Sequence, residues 1–194
     1  MVLRRKVLFG WAGLALAGCS SGAPSAVFDL NAPAAPTGVV RVQGAARGRL
    51  TIAEPTAQAL LDTDRIVVRT SAAAVAYLSG AQWSERLPKL VQTRLIQSFE
   101  SGRTLRAVGR PGDLVSHYAL TIEIRRFEFD VDARQARVAL DVRLVDGGGL
   151  IAADKAFSAS APADTTESAA ISAALDQALA QTMSRIVAWA APRA

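Results

Sequence analysis

Tyr118-Ala119-Leu120-Thr121-Ile122-Glu123-Ile124-Arg125-Arg126-Phe127-Glu128-Phe129-Asp130-Val131, followed by Ala136-Arg137-Val138-Ala139-Leu140-Asp141-Val142-Arg143-Leu144, decides the fold. Tyr118, Leu120, Ile122 and Ile124 alternate with polar or small residues, the period of a half-buried strand. Phe127, Phe129 and Val131 then occupy the opposite parity. A strand cannot change faces without an extra residue, because a one-residue slip turns it inside out. The switch at Arg125-Arg126 therefore predicts a β-bulge. The second run places Ala136, Val138, Leu140, Val142 and Leu144 on one face. Pairing Phe129 with Val138 and Phe127 with Leu140 sets Asp130 against Arg137 and Arg126 against Asp141. Beyond the bulge, Ile124 meets Val142 and Glu123 meets Arg143. The expected element is an antiparallel hairpin with its tip at Asp132–Gln135, apolar on one face and charge-paired on the other.

Downstream, Gly147-Gly148-Gly149 reads as a turn, and Leu150 to Ala159 as a third strand of the meander. A long helix follows. Asp164 and Glu167 are spaced like a capping box, Ile171, Leu175, Ala178, Leu179, Met183, Ile186, Val187 and Ala190 form one apolar stripe, and Pro192 marks the end. Upstream, a helix is expected from near Ser84 to Gly102, with Pro88 in its opening turn and Leu87, Leu90, Val91, Leu95 and Phe99 on one stripe. Arg65-Ile66-Val67-Val68-Arg69 is a strand, Ala74–Leu78 a short one, and Ala57–Leu61 a helical turn. Strand-like pieces at Val39–Gln43 and Arg49–Ala53 flank a turn at Gly44–Gly48, and a short strand can interrupt the tether at Ala26–Leu30. Together these elements predict an α+β fold, a mainly antiparallel sheet with two long helices packed on one face.

The N-terminus has the layout of a secretory signal. Arg4, Arg5 and Lys6 are basic, and Val7 through Leu16 carry no charge. That run is too short to cross a bilayer as a helix, which takes about 20 apolar residues. Leu16-Ala17-Gly18-Cys19 resembles the lipobox of bacterial lipoproteins, in which the cysteine thiol accepts a diacylglyceryl group. Cys19 is the chain's one cysteine, so the resemblance makes it the lipidation site and leaves no thiol for a disulfide, a metal or a nucleophile. Several acyl chains anchor a protein stably where one holds it marginally. Ser20 stands where inner-membrane retention usually calls for Asp, which implies the outer membrane, with the domain facing the periplasm. The expected organisation is a signal peptide over 1–18, a lipidated flexible tether over 19–37, rich in Ala, Pro, Ser and Gly, and a single domain over 38–194.

Composition excludes several functions. The chain carries 22 basic and 17 acidic residues, but the leader holds three of the basic ones, and no Lys/Arg block remains for nucleic acid. His117 is the only histidine, so a Ser-His-Asp arrangement would have to use it at the mouth of a strand. There is no Gly-x-Ser-x-Gly, no His-Glu-x-x-His and no phosphate-binding glycine loop. No catalytic residue, metal or cofactor is assigned.

The order of elements resembles the ABC-type transport auxiliary lipoproteins, a family that includes paraquat-inducible protein C. The likeness rests on the lipobox, Phe28-x-Leu30, Leu60-Leu61-Asp62-x-x-Arg65-Ile66-Val67-Val68-Arg69, Tyr77, Trp83-Ser84-Glu85-Arg86-Leu87, the charged hairpin and the last helix. It implies a non-catalytic partner of an MCE-domain protein and an ABC transporter permease and ATPase, moving phospholipids or other hydrophobic molecules between membranes. It also implies a homo-oligomer as a possible assembly. Docking needs exposed aromatic or arginine anchors, and Trp83, Arg125 and Arg126 are the candidates, with a core position the competing reading of Trp83. A lipoprotein assisting lipopolysaccharide assembly and a structural envelope lipoprotein remain the alternatives.

Overall fold

The computed structural model describes residues 26–31, 48–103 and 105–194. The expectations at Val39–Gln43, at most of the Gly44–Gly48 turn and at Cys19 with its leader lie outside these residues. Two helices and nine strands form a mixed α+β fold among the described residues. In chain order they are β1 (Ala26–Phe28), β2 (Arg49–Ile52), β3 (Thr56–Ala57), β4 (Arg65–Arg69), β5 (Val75–Trp83), α1 (Leu87–Gly102), β6 (Ala107–Gly109), β7 (Tyr118–Asp130), β8 (Gln135–Asp146), β9 (Ile151–Pro162) and α2 (Ser168–Ala190). Among the described residues no helix is long and apolar enough to cross a membrane.

β7 is the axis of the sheet. One edge carries β8 and then β9 as an antiparallel meander. The other edge receives three short strands in succession, all parallel to it. β2 pairs with residues 118–120, β3 with 123–124 and β4 with 129–130. β6 extends the sheet beyond β2, and β5 and β1 extend it beyond β4. The sheet is largely antiparallel, as expected, and the short parallel pairs are what the sequence did not show. Antiparallel hairpins join neighbours in sequence and leave a local pattern, whereas parallel pairs need a crossover that no local pattern records.

The bulge is present, between Ile124 and Arg126. Leu120, Ile122 and Ile124 before it and Phe127 and Phe129 after it are all buried, while Glu123 is only half-buried and Arg125 and Arg126 are exposed. The hairpin register differs from expectation by two residues. Phe127 faces Val138, Phe129 faces Ala136 and Ile124 faces Leu140. Parity is unchanged, so the same residues are inside. The tip lies one residue earlier than expected, four residues over 131–134 closed by the Asp130–Gln135 pair. It ends in the left-handed conformation at Arg134, φ 52°, and Ala133 N–H donates to Asp130 Oδ1 at 2.9 Å.

β5 runs five residues past the expected Leu78. Its register on β4 jumps from Val67–Tyr77 to Arg65–Gln82, a bulge that contains Gly80 at φ 71°, a conformation glycine adopts without steric cost. Leu87, Leu90, Val91, Leu95 and Phe99 are buried, as the stripe predicts. α1 starts at Leu87, later than expected, because Pro88 sits in its first turn. Its left-handed cap is Arg103 (φ 47°) rather than Gly102. α2 buries the whole predicted stripe but begins at Ser168. Glu167 occupies its N-cap with no side-chain cap bond, so the Asp164 capping box does not form. The Gly147–Gly149 turn is as read, with Asp146 Oδ1 accepting from Gly148 and Leu150 N–H at 2.9 Å each.

The core joins the apolar side of β7 and β8 to both helix stripes in one cluster. α2 lies along β8 and β9, and α1 touches α2, β2 and β6. Polar side chains seal the joints. Buried Gln92 on α1 donates to Ile52 O of β2 at 2.8 Å, and Ser98 on α1 meets Met183 Sδ of α2 at 3.7 Å. The segment after β1 is stitched in as well. Leu30 is fully buried, Asp29 accepts from Arg94 at 2.5 Å and Ser84 at 3.1 Å, and Asn31 donates twice to Asp176 on α2 at 2.8 and 3.0 Å. Residues 26–31 therefore belong to the fold, although they fall within the stretch expected to be tether.

Candidate functional site

The bulge that keeps the phenylalanines inside also fixes what the opposite side of β7 and β8 presents. In the observed register Glu123 faces Asp141 across the ladder. Two carboxylates so placed repel. Arg125, the extra residue of the bulge, reaches between them, its Nη1 on Glu123 at 2.7 Å and its Nε on Asp141 at 2.8 Å. The Asp141 hydrogen bond, followed by the Glu123 and Asp141 charges, raises the Arg125 pKa above its ordinary value.

One step along, Glu128 is a buried carboxylate. A buried charge needs a partner and hydrogen bonds, and Arg69 of β4 supplies both. Its Nε and Nη2 form a fork on the two carboxylate oxygens at 3.0 and 2.9 Å. That hydrogen bond and the Glu128 charge raise the Arg69 pKa. Arg126 approaches the same carboxylate with Nε at 3.4 Å. Arg137, opposite Glu128, contacts Asp130 at 3.2 Å.

Toward the outer strand the side chains shorten. Ala139 and Arg137 of β8 stand beside Ser158 and Ser160 of β9, and a cleft of about 730 Å³ opens there. Its charged lining residues are Arg125, Arg126, Arg137 and Arg185, with no carboxylate among them. Arg185 comes from α2 and donates to Ser158 O at 3.0 Å, tying the helix to the free margin of β9. A second groove of about 560 Å³ shares Ser158 and Arg185 and continues along that margin over Lys155, Phe157, Ala188 and Trp189. Phe157 and Trp189 pack edge to face there at 5.7 Å.

This arrangement suits an anion or an acidic partner surface. Among the described residues no group of three or more His, Cys, Asp or Glu side chains is placed to hold a metal ion. His117 is exposed ahead of β7, held by its own backbone N–H to Arg49 O at 3.3 Å. Of the three anchors expected from sequence, Arg125 and Arg126 are exposed and adjacent. Trp83 is not part of the surface. It is 1% exposed and packs edge to face on Phe127 at 5.9 Å, and a buried ring offers a partner nothing to grip. Arg137 was expected only as the partner of Asp130, a contact it makes at 3.2 Å, and Arg69 and Arg185 were not anticipated. Their charge pattern is unremarkable in sequence, and only the sheet and α2 bring them together.

Comparison with known proteins agrees with this fold. The chain is 27% identical to protein XCC0632 of Xanthomonas campestris, whose crystal structure superposes with a TM-score of 0.76 over 86% of this chain and 95% of that one. The hypothetical protein CT253 of Chlamydia trachomatis shares the fold at 10% identity, with a TM-score of 0.51 over 75% and 96% of the two chains. An uncharacterized protein of Bradyrhizobium diazoefficiens is 36% identical over 142 residues. That alignment takes in 72% of this chain and 38% of the relative, so the chain spans well under half of that protein's length. The family model of the ABC-type transport auxiliary lipoprotein component matches residues 28–187, from β1 to within the last turn of α2, and the chain belongs to that family.

Proposed function

We propose that this protein is a lipid-anchored, non-catalytic component of an MCE/ABC-type system that moves phospholipids or similar hydrophobic molecules between membranes. In this reading residues 1–18 are removed, Cys19 carries the acyl chains, and the domain faces the periplasm from the outer membrane. Both helices cover the apolar face of the sheet. The opposite face, with Arg125 and Arg126 at the bulge, docks on the MCE-domain protein. The observation that carries the proposal is the family match over residues 28–187. The exposed arginines supply a surface of the kind used as an interface anchor, with bidentate geometry for carboxylates.

The test is capture of the full-length lipoprotein from detergent-solubilised membranes, with the MCE-domain protein encoded nearby as the expected co-purifying partner. Arg125→Glu with Arg126→Glu should reduce the captured amount while His117→Ala leaves it unchanged. Absence of the MCE protein, permease and ATPase from the captured material would overturn the reading.

A further inference from the structure

β9 is twelve residues long and solvent-exposed at most positions, and among the described residues its outer side pairs with no other strand. Main-chain groups along an antiparallel strand point alternately to its two sides. Ser158 O receives Arg185 of α2 at 3.0 Å, so the even-numbered positions from Asp154 to Pro162 point outward. Ala163 N–H turns the other way, to Arg134 O at the hairpin tip, which gives the same phase. Pro162 is then outward, where its missing N–H costs the β8 ladder nothing. Asp154, Ala156, Ser158 and Ser160 direct their N–H and C=O groups to the open side, and among the described residues Arg185 is the one side chain that meets them. A row of main-chain donors and acceptors of this kind is a template for a further strand.

The cleft beside this edge selects the strand. Two cross-strand rows run up to it, Arg126–Ala139–Ser158 and Glu128–Arg137–Ser160. A strand added to β9 puts side chains opposite Ser158 and Ser160, two residues apart, at the ends of these rows. The serines are short, so Arg137 faces such a side chain across two strand spacings, about 10 Å, a gap that an arginine and a glutamate close between them. Arg185 already stands at the edge, and the lining of the cleft contains no carboxylate. We propose that the outer edge of β9 between Asp154 and Ser160 takes an extended, acidic segment of a partner protein as an added strand. Its carboxylates, opposite Ser158 and Ser160, meet Arg185 and Arg137, while Arg185 yields Ser158 O to a main-chain N–H of the segment. A second copy of β9 fits poorly, because its charged side chains are Asp154 and Lys155 and it brings its own arginines against the first set. The proposal stands on the strand and its cleft and does not depend on the transport reading.

The probe is a fluorescently labelled octapeptide alternating threonine and glutamate, titrated with the full-length lipoprotein in non-ionic detergent and read by anisotropy. Saturable binding is expected. It should weaken about tenfold or more when glutamine replaces glutamate in the peptide, or when the protein carries Arg137→Gln with Arg185→Gln. Two further peptides carry N-methyl groups on alternate amides, one on the glutamates and one on the threonines. An added strand turns only one of these phases toward β9, so one peptide should lose binding and the other keep it. This comparison leaves the protein unaltered and holds even where a variant folds poorly. Ser160→Pro, which removes an outward N–H of the edge, should weaken the unmethylated peptide, and Arg106→Gln, on an exposed arginine away from the cleft, should change nothing. Equal binding of the two methylated peptides would reduce the contact to charge attraction and overturn the added strand. No binding, or binding indifferent to Arg137 and Arg185, overturns the site. Self-association of the protein that Ser160→Pro abolishes would give the edge to a second copy and overturn the assignment to a partner.

Discussion

Glu123 and Asp141 face one another on adjacent strands, and Arg125 is the residue that makes this tolerable. Arg125→Ala should therefore lower the urea midpoint, and Asp141→Asn in the same chain should restore much of the loss by removing the second carboxylate. Additive effects of the two substitutions would show that the residues do not communicate. Arg134 presents a different case. It closes the hairpin at φ 52° with an exposed side chain, a conformation that costs a residue with a Cβ more than glycine. Arg134→Gly should stabilise the domain by roughly 0.5–1 kcal/mol, the relief of backbone strain exceeding the entropy that glycine adds to the unfolded chain. An unchanged or lower midpoint in urea would contradict this.

At the scale of elements, the bulge decides which face of β7 is buried along its whole length. Phe127, 2% exposed against Trp83, should lose about 3–5 kcal/mol as Phe127→Ala, read from chemical denaturation. Deleting Arg125 should instead remove the bulge and leave a regular ladder, Ile124 on Leu140, Arg126 on Ala139 and Phe127 on Val138, with both phenylalanines still inside. The purified deletion variant should keep a cooperative melt with a lowered midpoint, while an alanine inserted after Arg126 should turn Phe127 and Phe129 outward and abolish it. The bulge and both helix stripes were legible in the sequence because they are written in the period of a single segment. The hairpin register was not, since Phe127 finds an apolar neighbour in either Val138 or Leu140 and only the tight turn at 131–134 separates the two. β6 and the true length of β5 were also hidden. Ser79, Gly80 and Ala81 carry no alternation to read, and three residues from 107 to 109 give no period. For the site, Arg125 and Arg126 stood out where the apolar parity breaks. Arg69 lies 59 residues before Glu128 and Arg185 lies 27 after Ser158, separations at which sequence spacing carries no geometric information.

Over the whole molecule, the segment nearest the expected lipid anchor is bolted to both helices, through Asp29 to Arg94 and through Asn31 to Asp176. Burial pushes the Asp29 carboxyl up, but the hydrogen bond and charge of Arg94, with Ser84 and the Leu30 N–H, outweigh it and hold the pKa below its ordinary value. Since the folded pKa lies below the unfolded one, near ~3.9, this contribution is complete above that pH and is lost as pH falls through the lower folded value. More than half of the Asp29 side chain is exposed, so the effect is small and local. The protection factor of the Leu30 amide, which donates to Asp29 Oδ1, should be lower at pH 3 than at pH 6 once the intrinsic pH dependence of exchange is divided out, and Asp29→Asn should abolish that difference. At the same scale, Cys19→Ala should give a chain without acyl mass by mass spectrometry and move it from the membrane fraction or leave its leader attached. An unmodified Cys19 in membrane-bound mature protein would refute the anchor.

The three parallel docks along one edge of β7 also set an order of events. Among the described residues β3 has no ladder partner but β7, and β2 has only β7 and the three residues of β6. Residues 49–57 therefore wait for a strand that begins about 60–70 positions later in the chain. Loop closure over such separations must precede the contacts that reward it, which places this topology among slow folders, milliseconds to seconds for a domain rich in non-local pairs. A chain emerging from its N-terminus cannot close its own sheet until β7 exists, so whatever handles the first hundred residues handles them unfolded. A fragment ending at Gly109 should show no cooperative transition, and refolding of the full chain should be limited by a step that substitutions in β7 slow and substitutions in β2 leave largely unchanged.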